Sequence, residues 1–312
     1  MATDADRHRD PARVDARSVR RAFERAAPSY DAAAVLQREI GQRMAERLAL
    51  VRLEPAKILD AGCGTGDGMG ELRTRFPSAL TVGLDVAFAM LVAARRRASS
   101  PVAERPILAR LFGAAPEGGA SALVCADACR LPLAAGSVDL VWSNLVLHWV
   151  ADPLPALAEF LRALRVGGLL MFTTLGPDTL SELRAAFSQA DRATHVSRFL
   201  DMHDIGDMLV HAGFAEPVMD MEKLTLTYTE PMALMRDLRA IGARNATAGR
   251  PRGLMGRHCW QRMIEALETF RRDGRLPATF EVVYGHAWKP EPRVAADGRA
   301  IVRMHRRESR ED

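Results

Sequence analysis

Ile58-Leu59-Asp60-Ala61-Gly62-Cys63-Gly64-Thr65-Gly66 decides the fold of this chain of 312 residues. Apolar residues lead into an acid, three glycines follow at alternate positions, and a helical pattern comes next. This order predicts a strand that ends in a tight turn, where the backbone leaves room for a nucleotide-like ligand. A dinucleotide fingerprint needs another glycine at the position of Asp67, and a carboxylate there would repel a pyrophosphate. The turn therefore disfavours a dinucleotide.

Two acids indicate what the turn binds. Asp60, two residues before the first glycine, suits a cationic or hydroxyl-rich ligand better than a phosphate. Asp85 ends the predicted strand Leu80–Asp85, close to the place about 20 residues on where such folds carry a ribose-binding acid. Its alternative role is to cap a helix that begins at Val86. Together the acids fit S-adenosylmethionine, whose amino group and sulfonium are positive.

Polar residues also follow the next two strands. Asp127 comes after an apolar run and has the position of an acceptor for an adenine amino group, or that of an ordinary loop residue. Ser143 and Asn144 close another apolar run. Because open parallel sheets bind ligands beyond the carboxyl ends of their strands, we expect these residues along the same edge as the two acids.

Strand and helix patterns alternate through the first half of the chain, which predicts an α/β fold with a mostly parallel sheet covered on both faces. Helices are predicted over 67–76, 88–97 and 154–164. The predicted strands are Lys57–Asp60, Leu80–Asp85, Ala122–Cys125, Val138–Ser143 and Leu169–Thr173. Further on, Val218–Tyr228 and Phe280–Trp288 alternate in polarity and predict an antiparallel pair, with a helical insertion over 231–275 between them.

We predict a single domain over residues 17–289. Its first part, 17–50, contains two helical patterns (17–27 and 31–50) that Pro28 separates, and it is expected to form a lid. Residues 1–16 lack periodicity and predict a disordered tail, 98–120 predict a loop, and 290–312 a charged tail.

The composition is that of a globular protein, with 48% hydrophobic and 26% charged residues and a net charge of +4. The four cysteines form no CxxC pair, so we expect reduced thiols rather than a metal site. No apolar run approaches the ~20 residues of a membrane span. Acidic residues at 4, 6, 10 and 15 argue against a transit peptide. We therefore expect a cytoplasmic protein that binds neither membrane nor nucleic acid.

The motifs resemble those of class I S-adenosylmethionine-dependent methyltransferases. The resemblance rests on Ile58–Gly66, Asp85, Asp127 and Val138–Asn144. Four further segments, across about residues 18–289, are similar to one branch, the biotin-synthesis malonyl-acyl-carrier-protein O-methyltransferases: Ala22–Asp31, Phe172–Leu175, Val196–Phe199 and Met235–Ala243. The resemblance implies a Rossmann-like fold with seven strands and S-adenosylmethionine as the cofactor.

The resemblance also implies roles for single residues. Three glycines would approach the methionine moiety, namely Gly62, Gly64 and Gly66. Asp85 would bind the ribose, while Asp127 and Ala128 would lie near the adenine. Tyr30, on the N-terminal helices, would cover the cofactor. One departure is His148, at a place where many relatives carry glutamine, and it puts a proton-transfer role for that position in doubt.

The implied reaction esterifies the free carboxylate of malonyl-acyl carrier protein, or of malonyl-coenzyme A, early in biotin synthesis. A carboxylate is already ionised at pH 7, so no general base is needed. Arg198 is the first candidate to hold it, with His195 and Tyr30 as weaker ones, although Arg198 has the alternative of a surface ion pair. An acidic carrier would dock on the basic insertion, whose charges have the alternative of being merely solvated; they are Arg236, Arg239, Arg244, Arg250, Arg252 and Arg257.

Two other functions stay open on the sequence alone. The same segments resemble a mitochondrial relative that assists assembly of respiratory complex I and is linked to arginine hydroxylation. A non-catalytic protein that binds S-adenosylmethionine is the third interpretation. A complete set of glycines and Asp85 disfavours the third, because an adaptor needs no full pocket.

Overall fold

The computed structural model describes residues 12–99, 120–251, 253 and 255–292. The predicted tails at 1–11 and 293–312 and most of the predicted loop at 98–120 lie outside these ranges. None of the helices within the described ranges is both long and apolar enough to cross a membrane.

Seven strands form one sheet in the order β3-β2-β1-β4-β5-β7-β6. The first five are parallel, and β7 runs antiparallel to both of its neighbours. This confirms the predicted fold, including the late antiparallel pair. The strands are β1 (Lys57–Ala61), β2 (Leu80–Asp85), β3 (Ser121–Cys125), β4 (Val138–Ser143), β5 (Leu164–Leu175), β6 (Ala215–Tyr228) and β7 (Leu276–Trp288).

Helices cover both faces of the sheet. The pattern over 31–50 is two helices rather than one, because the chain leaves helical geometry at Ala34 (φ −78°, ψ 42°). The helices are α1 (Ala16–Ala26), α2 (Tyr30–Ala33), α3 (Val35–Leu48), α4 (Asp67–Arg75), α5 (Phe88–Ser99), α6 (Pro153–Ala163), α7 (Ser181–Ala190), α8 (Met202–Ala212), α9 (Pro231–Ala240) and α10 (Arg257–Glu268).

The core has two layers because successive strand residues point to opposite faces. In β1, Ile58 belongs to the layer under α3, α7 and α10, whereas Leu59 belongs to the layer under α6 and α8. Strand β4 is buried at every position, as expected of a central parallel strand. Truncating a fully buried residue such as Leu140 to alanine would cost about 2–5 kcal/mol. This rigid centre fixes the strand ends that carry the site.

The N-terminal segment pairs with the insertion, which the sequence did not predict. Val14 forms an antiparallel bridge with Thr247, and the Asp15 amide donates to the Ala246 carbonyl at 2.7 Å. The Asp15 carboxylate then caps α1. Residues 12–16 are therefore ordered, contrary to the predicted tail. Together with α1 and residues 241–250 they lie over the sheet edge, and we call these three segments the cover.

Candidate active site

The three positions of the turn require glycine for different physical reasons. All have positive φ: 82° at Gly62, 53° at Gly64 and 85° at Gly66. A Cβ on Gly62 would lie 2.2 Å from a methyl group of Val146, and one on Gly66 would press on Ala94 at 3.1 Å. A Cβ on Gly64 would meet no atom within 4 Å. Gly62 and Gly66 thus permit close packing, while Gly64 leaves space for a ligand.

Asp85 holds the turn from the end of β2. One carboxylate oxygen accepts from the Gly64 amide at 3.0 Å, and the other accepts from the Ala87 amide at 2.8 Å. Burial raises the pKa of Asp85, and the two amides oppose that rise. The contact with Ala87 agrees with the capping alternative, and the same side chain lines the larger cavity described below, where ribose binding stays a prediction.

Asp60 is buried beside the turn with an unsatisfied oxygen. Its Oδ2 and the indole Nε1 of Trp142 have no hydrogen-bond partner among the described residues. A Cβ on Gly68 would lie 3.1 Å from the former and 3.2 Å from the latter, so both atoms border the same space. Burial, together with the charges of Asp85 and Asp67, raises the pKa of Asp60 to about 8. A buried acceptor that lacks a partner fits an ammonium group.

Two cavities of about 420 and 360 Å³ meet at this edge of the sheet. Asp60 and the glycine turn line the smaller one, and Asp85, Asp127 and Ala128 line the larger one. The residues that line both, and so form the junction between them, are Tyr30, Gln37, Gly62, Gly64 and Asn144.

The junction contains three polar side chains, those of Tyr30, Gln37 and Asn144, and hydrogen bonds hold Asn144 in place. The Asn144 amide donates to the Gln37 carbonyl at 3.0 Å and accepts from the Thr173 hydroxyl at 2.6 Å. Burial and the nearby charges of Asp85, Asp31 and Asp67 raise the pKa of Tyr30, so its phenol stays neutral. The junction therefore carries hydrogen-bonding groups without a net charge.

The larger cavity is polarised. The acids among its lining residues, Asp85, Asp127 and Asp152, lie on the strand-end side. Its arginines, Arg13 and Arg244, come from the cover formed by the segment before α1 and the segment after α9. Such a cavity suits a cationic ligand near the sheet and an anionic ligand under the cover.

Polar contacts fasten the N-terminal helices over the site. The Glu24 carboxylate accepts from the amides of Phe88 and Ala89 at 2.8 and 2.9 Å, at the start of α5. Asp31 accepts from the hydroxyl of Thr65 and pairs with Arg97 at 2.7 Å. The sequence analysis missed Glu24 and Asp31 because their partners lie 34 to 66 residues away, and no local pattern marks them.

The smaller cavity also contains a cation that the sequence analysis missed. Arg38 lines it, and one of its guanidinium nitrogens donates to the Asp31 carbonyl at 2.6 Å. Arg38 thus sets a positive group near Asp60, which suits a ligand that carries both a carboxylate and an ammonium. The helical pattern predicts that Arg38 lies in α3, one turn after Val35, but it does not predict where the side chain points.

Two predicted residues lie outside both cavities. Ser143 is fully buried, and its hydroxyl donates to the Ala61 carbonyl at 3.1 Å, so it ties β4 to β1. Arg198 is exposed and lines neither cavity, whereas its neighbours Ser197 and Phe199 line the larger one. His195 and Val196 line the larger cavity as well, so Arg198 is the one residue from 195 to 199 that does not. Neither side chain borders the two cavities, and a ligand contact for either stays a prediction of the sequence.

The two histidines of the larger cavity differ in environment. His195 stacks on Phe187 with ring centroids 4.1 Å apart, and its Nε2 lies 2.8 Å from an oxygen of Asp191. Burial lowers the pKa of His148 to about 3, so this imidazole is neutral in the physiological range. Its Nδ1 lies 3.4 Å from the Thr174 hydroxyl. With so low a pKa, His148 is a poor general base.

Solved structures share the fold of the chain at low sequence identity. A putative methyltransferase from Bacillus halodurans superposes with a TM-score of 0.51 at 18% identity, over 79% of this chain and 97% of that one. The YcgJ protein of Bacillus subtilis gives a TM-score of 0.51 at 15% identity, over 81% and 98%. Residues 59–172 match the family described as a methyltransferase domain.

Curated relatives match the chain almost from end to end. A malonyl-[acyl-carrier protein] O-methyltransferase of Laribacter hongkongensis is 59% identical over 94% of this chain and 96% of its own. A protein of the same name from Gallionella capsiferriformans is 54% identical over 93% and 96%. A third, from Legionella pneumophila, is 40% identical over 90% and 93%. The chain belongs to the malonyl-[acyl-carrier protein] O-methyltransferase family.

Proposed function

We propose that this chain is an S-adenosylmethionine-dependent O-methyltransferase that esterifies the free carboxylate of malonyl-acyl carrier protein, or of malonyl-coenzyme A, in biotin synthesis. The observation that carries the proposal is the 59% identity, over 94% of the chain, to a protein named for that activity. The relatives' names do not support an arginine hydroxylase, an assembly factor or a non-catalytic protein.

The residues of the two cavities fit the cofactor. The unsatisfied oxygen of Asp60 would accept from its amino group, and Arg38 would pair with its carboxylate. Gly64 leaves space for the methionine chain, and the free lone pairs of Asp85 would accept from the ribose hydroxyls. Asp127 and Ala128 would border the adenine from the larger cavity.

The proposed chemistry asks little of acid–base groups. When bound, the cofactor supplies a methyl group on a sulfonium, which a carboxylate oxygen takes as the sulfur–carbon bond breaks. The carboxylate is ionised without help, consistent with a neutral His148. The protein's part is to align the oxygen, an effect worth up to about 7–11 kcal/mol, and to exclude water beneath the N-terminal helices.

Because Arg198 lines neither cavity, we assign the binding of substrate anions to Arg13 and Arg244, the arginines of the larger cavity. Of the insertion arginines proposed to dock the carrier, Arg250 is partly engaged, since it contacts Asp15 at 3.4 Å and Ser18 at 2.7 Å. Arg252 lies outside the described residues. If docking is electrostatic, activity with the carrier-bound substrate should fall steeply as salt rises. A cytoplasmic location stays a prediction of the sequence.

The test incubates purified protein with methyl-labelled S-adenosylmethionine and malonyl-acyl carrier protein. We expect a labelled methyl ester that mild base removes. Acetyl-acyl carrier protein is the matched control, because it has the same thioester but no free carboxylate. Label on both carriers, or on neither, would contradict the proposal.

A further inference from the structure

Three arginines in or next to the cover have no acidic partner among the described residues. Arg25 lies in the last turn of α1, Arg239 in the last turn of α9, and Arg244 lines the larger cavity. All three are exposed. Nearby arginines do pair, as Arg250 does with Asp15 and Arg271 with Glu268.

The packing of the cover brings these arginines together. The Ser29 hydroxyl, just after α1, donates to the Ala240 carbonyl at the end of α9 at 3.0 Å. A Cβ on Gly242 would lie 3.2 Å from that of Ala26, so the turn after α9 rests on the end of α1. Arg25 and Arg239 are therefore next to the contact, and Arg244 follows it by two residues.

This concentration of like charges is unfavourable without an anion. Burial lowers the pKa of Arg244, and the charges of Arg239 and Arg25 lower it further. Each guanidinium has a donor set that matches the oxygens of a phosphate or carboxylate. Three guanidiniums at one rim thus form a receptor for an anionic group of a ligand that enters the larger cavity.

We propose that Arg25, Arg239 and Arg244 bind the phosphate of the phosphopantetheine arm that carries the acyl group. The inference rests on the proposed function and names the part of the substrate bound at the rim. A phosphate fits this place better than the reacting carboxylate does, because the three arginines are exposed at the rim. The carboxylate must instead reach the junction formed by Tyr30 and Asn144.

The test compares two carrier-free ligands that differ only in the phosphate, 4′-phosphopantetheine and pantetheine. Calorimetry measures their binding to the protein loaded with S-adenosylhomocysteine. We expect the wild type to favour the phosphate form by about 10- to 100-fold, as for charge-assisted hydrogen bonds. Arg244→Gln should remove most of this preference. Arg272→Gln, which loses the same charge at an exposed turn before β7, should keep it.

The outcomes separate this inference from the proposed function. Equal binding of the two ligands by the wild type, or an unchanged preference in Arg244→Gln, would overturn the phosphate site. Methylation of malonyl-pantetheine and malonyl-phosphopantetheine is measured in parallel, and an equal loss on both in Arg244→Gln would place the residue at the acyl end and also overturn it. If phosphate-dependent binding is intact but no malonyl thioester is methylated, the proposed function alone fails.

Discussion

Asp60 couples cofactor affinity to pH. In the free protein, burial and the charges of Asp85 and Asp67 raise its pKa to about 8, and its Oδ2 lacks a partner. A cationic amino group beside that oxygen stabilises the ionised form, so binding releases the proton. With a pKa of about 8, about one molecule in eleven has an ionised Asp60 at pH 7, and about one in a hundred at pH 6.

The affinity for S-adenosylhomocysteine should therefore rise about tenfold from pH 6 to pH 7. The range is kept below pH 7.5 so that it lies below the raised pKa of Asp60, where the slope is steepest. Calorimetry in two buffers of different ionisation enthalpy gives both the affinity and the number of protons released, which should approach one. Asp60→Asn should bind weakly and lose the slope. Asp127→Asn, which removes an exposed carboxylate from the larger cavity, should keep it.

The stability of the ligand-free protein provides a second measurement. A carboxyl group whose folded pKa is raised keeps its proton where the unfolded chain has lost it. The Asp60 contribution therefore falls as pH rises from about 4 to about 8. Relative to the wild type, Asp60→Asn should gain stability over that range. An affinity that is flat between pH 6 and pH 7, or a slope that survives in Asp60→Asn, would refute the reasoning.

Four other substitutions test the site. Gly62→Ala should lower the free energy of unfolding by about 1–3 kcal/mol, because its Cβ would meet Val146 at 2.2 Å. Gly64→Ala, whose Cβ would meet no atom, should keep nearly the wild-type stability and lose cofactor affinity. A Gly64→Ala protein that melts at a lower temperature than Gly62→Ala would contradict this. Asp31→Ala should speed cofactor release in stopped-flow traces. It should change the free energy of unfolding by less than about 1 kcal/mol, because the ion pair with Arg97 is exposed. An unchanged release rate would show that Asp31 does not hold the N-terminal helices over the site. His148→Gln should keep kcat within about threefold and leave the pH–rate profile unchanged, because the imidazole is already neutral. If the variant lost a rise or fall of the rate between pH 6 and 7, His148 would titrate in that range, contrary to this prediction.

The sequence predicts the central strands well because their signals are local. The bounds of β2 and β4 match the predicted ones, since each is an apolar run that ends in a polar turn. The start of β5 was predicted five residues late, because Gly167 and Gly168 resemble a turn. In the structure the strand continues through them, with Gly167 at φ 73° and an irregular register against β4. Glycines inside a strand can mark a bulge rather than an end.

The residues of the candidate site also fall into two groups, those that a local sequence pattern marks and those that depend on contacts between distant segments. The position of Asp60, Asp85 and the glycines at one edge of the sheet could be predicted because each lies at or just after the end of a strand that an apolar run marks. Contacts between distant segments left no such signal, and the pairing of Asp31 with Thr65 and Arg97 is the clearest case. The exposure of Arg198 could not be predicted for a related reason. Its sequence context identified the segment that borders the cavity, but the direction of one side chain in that segment depends on packing that the pattern does not contain.

The charge distribution of the site agrees with the proposed reaction. A sulfonium and a carboxylate lose their charges as the methyl group moves, so a fixed charge at the meeting point would favour one charged reactant over the neutral products. The structure sets acids on the strand-end side, arginines under the cover, and neutral groups at the junction. Tyr30 and Asn144 thus border the part of the cavity where no charge is wanted, and His148, which lines the larger cavity, is neutral as well. An ionised carboxylate needs no general base, in agreement with the low pKa of the buried His148.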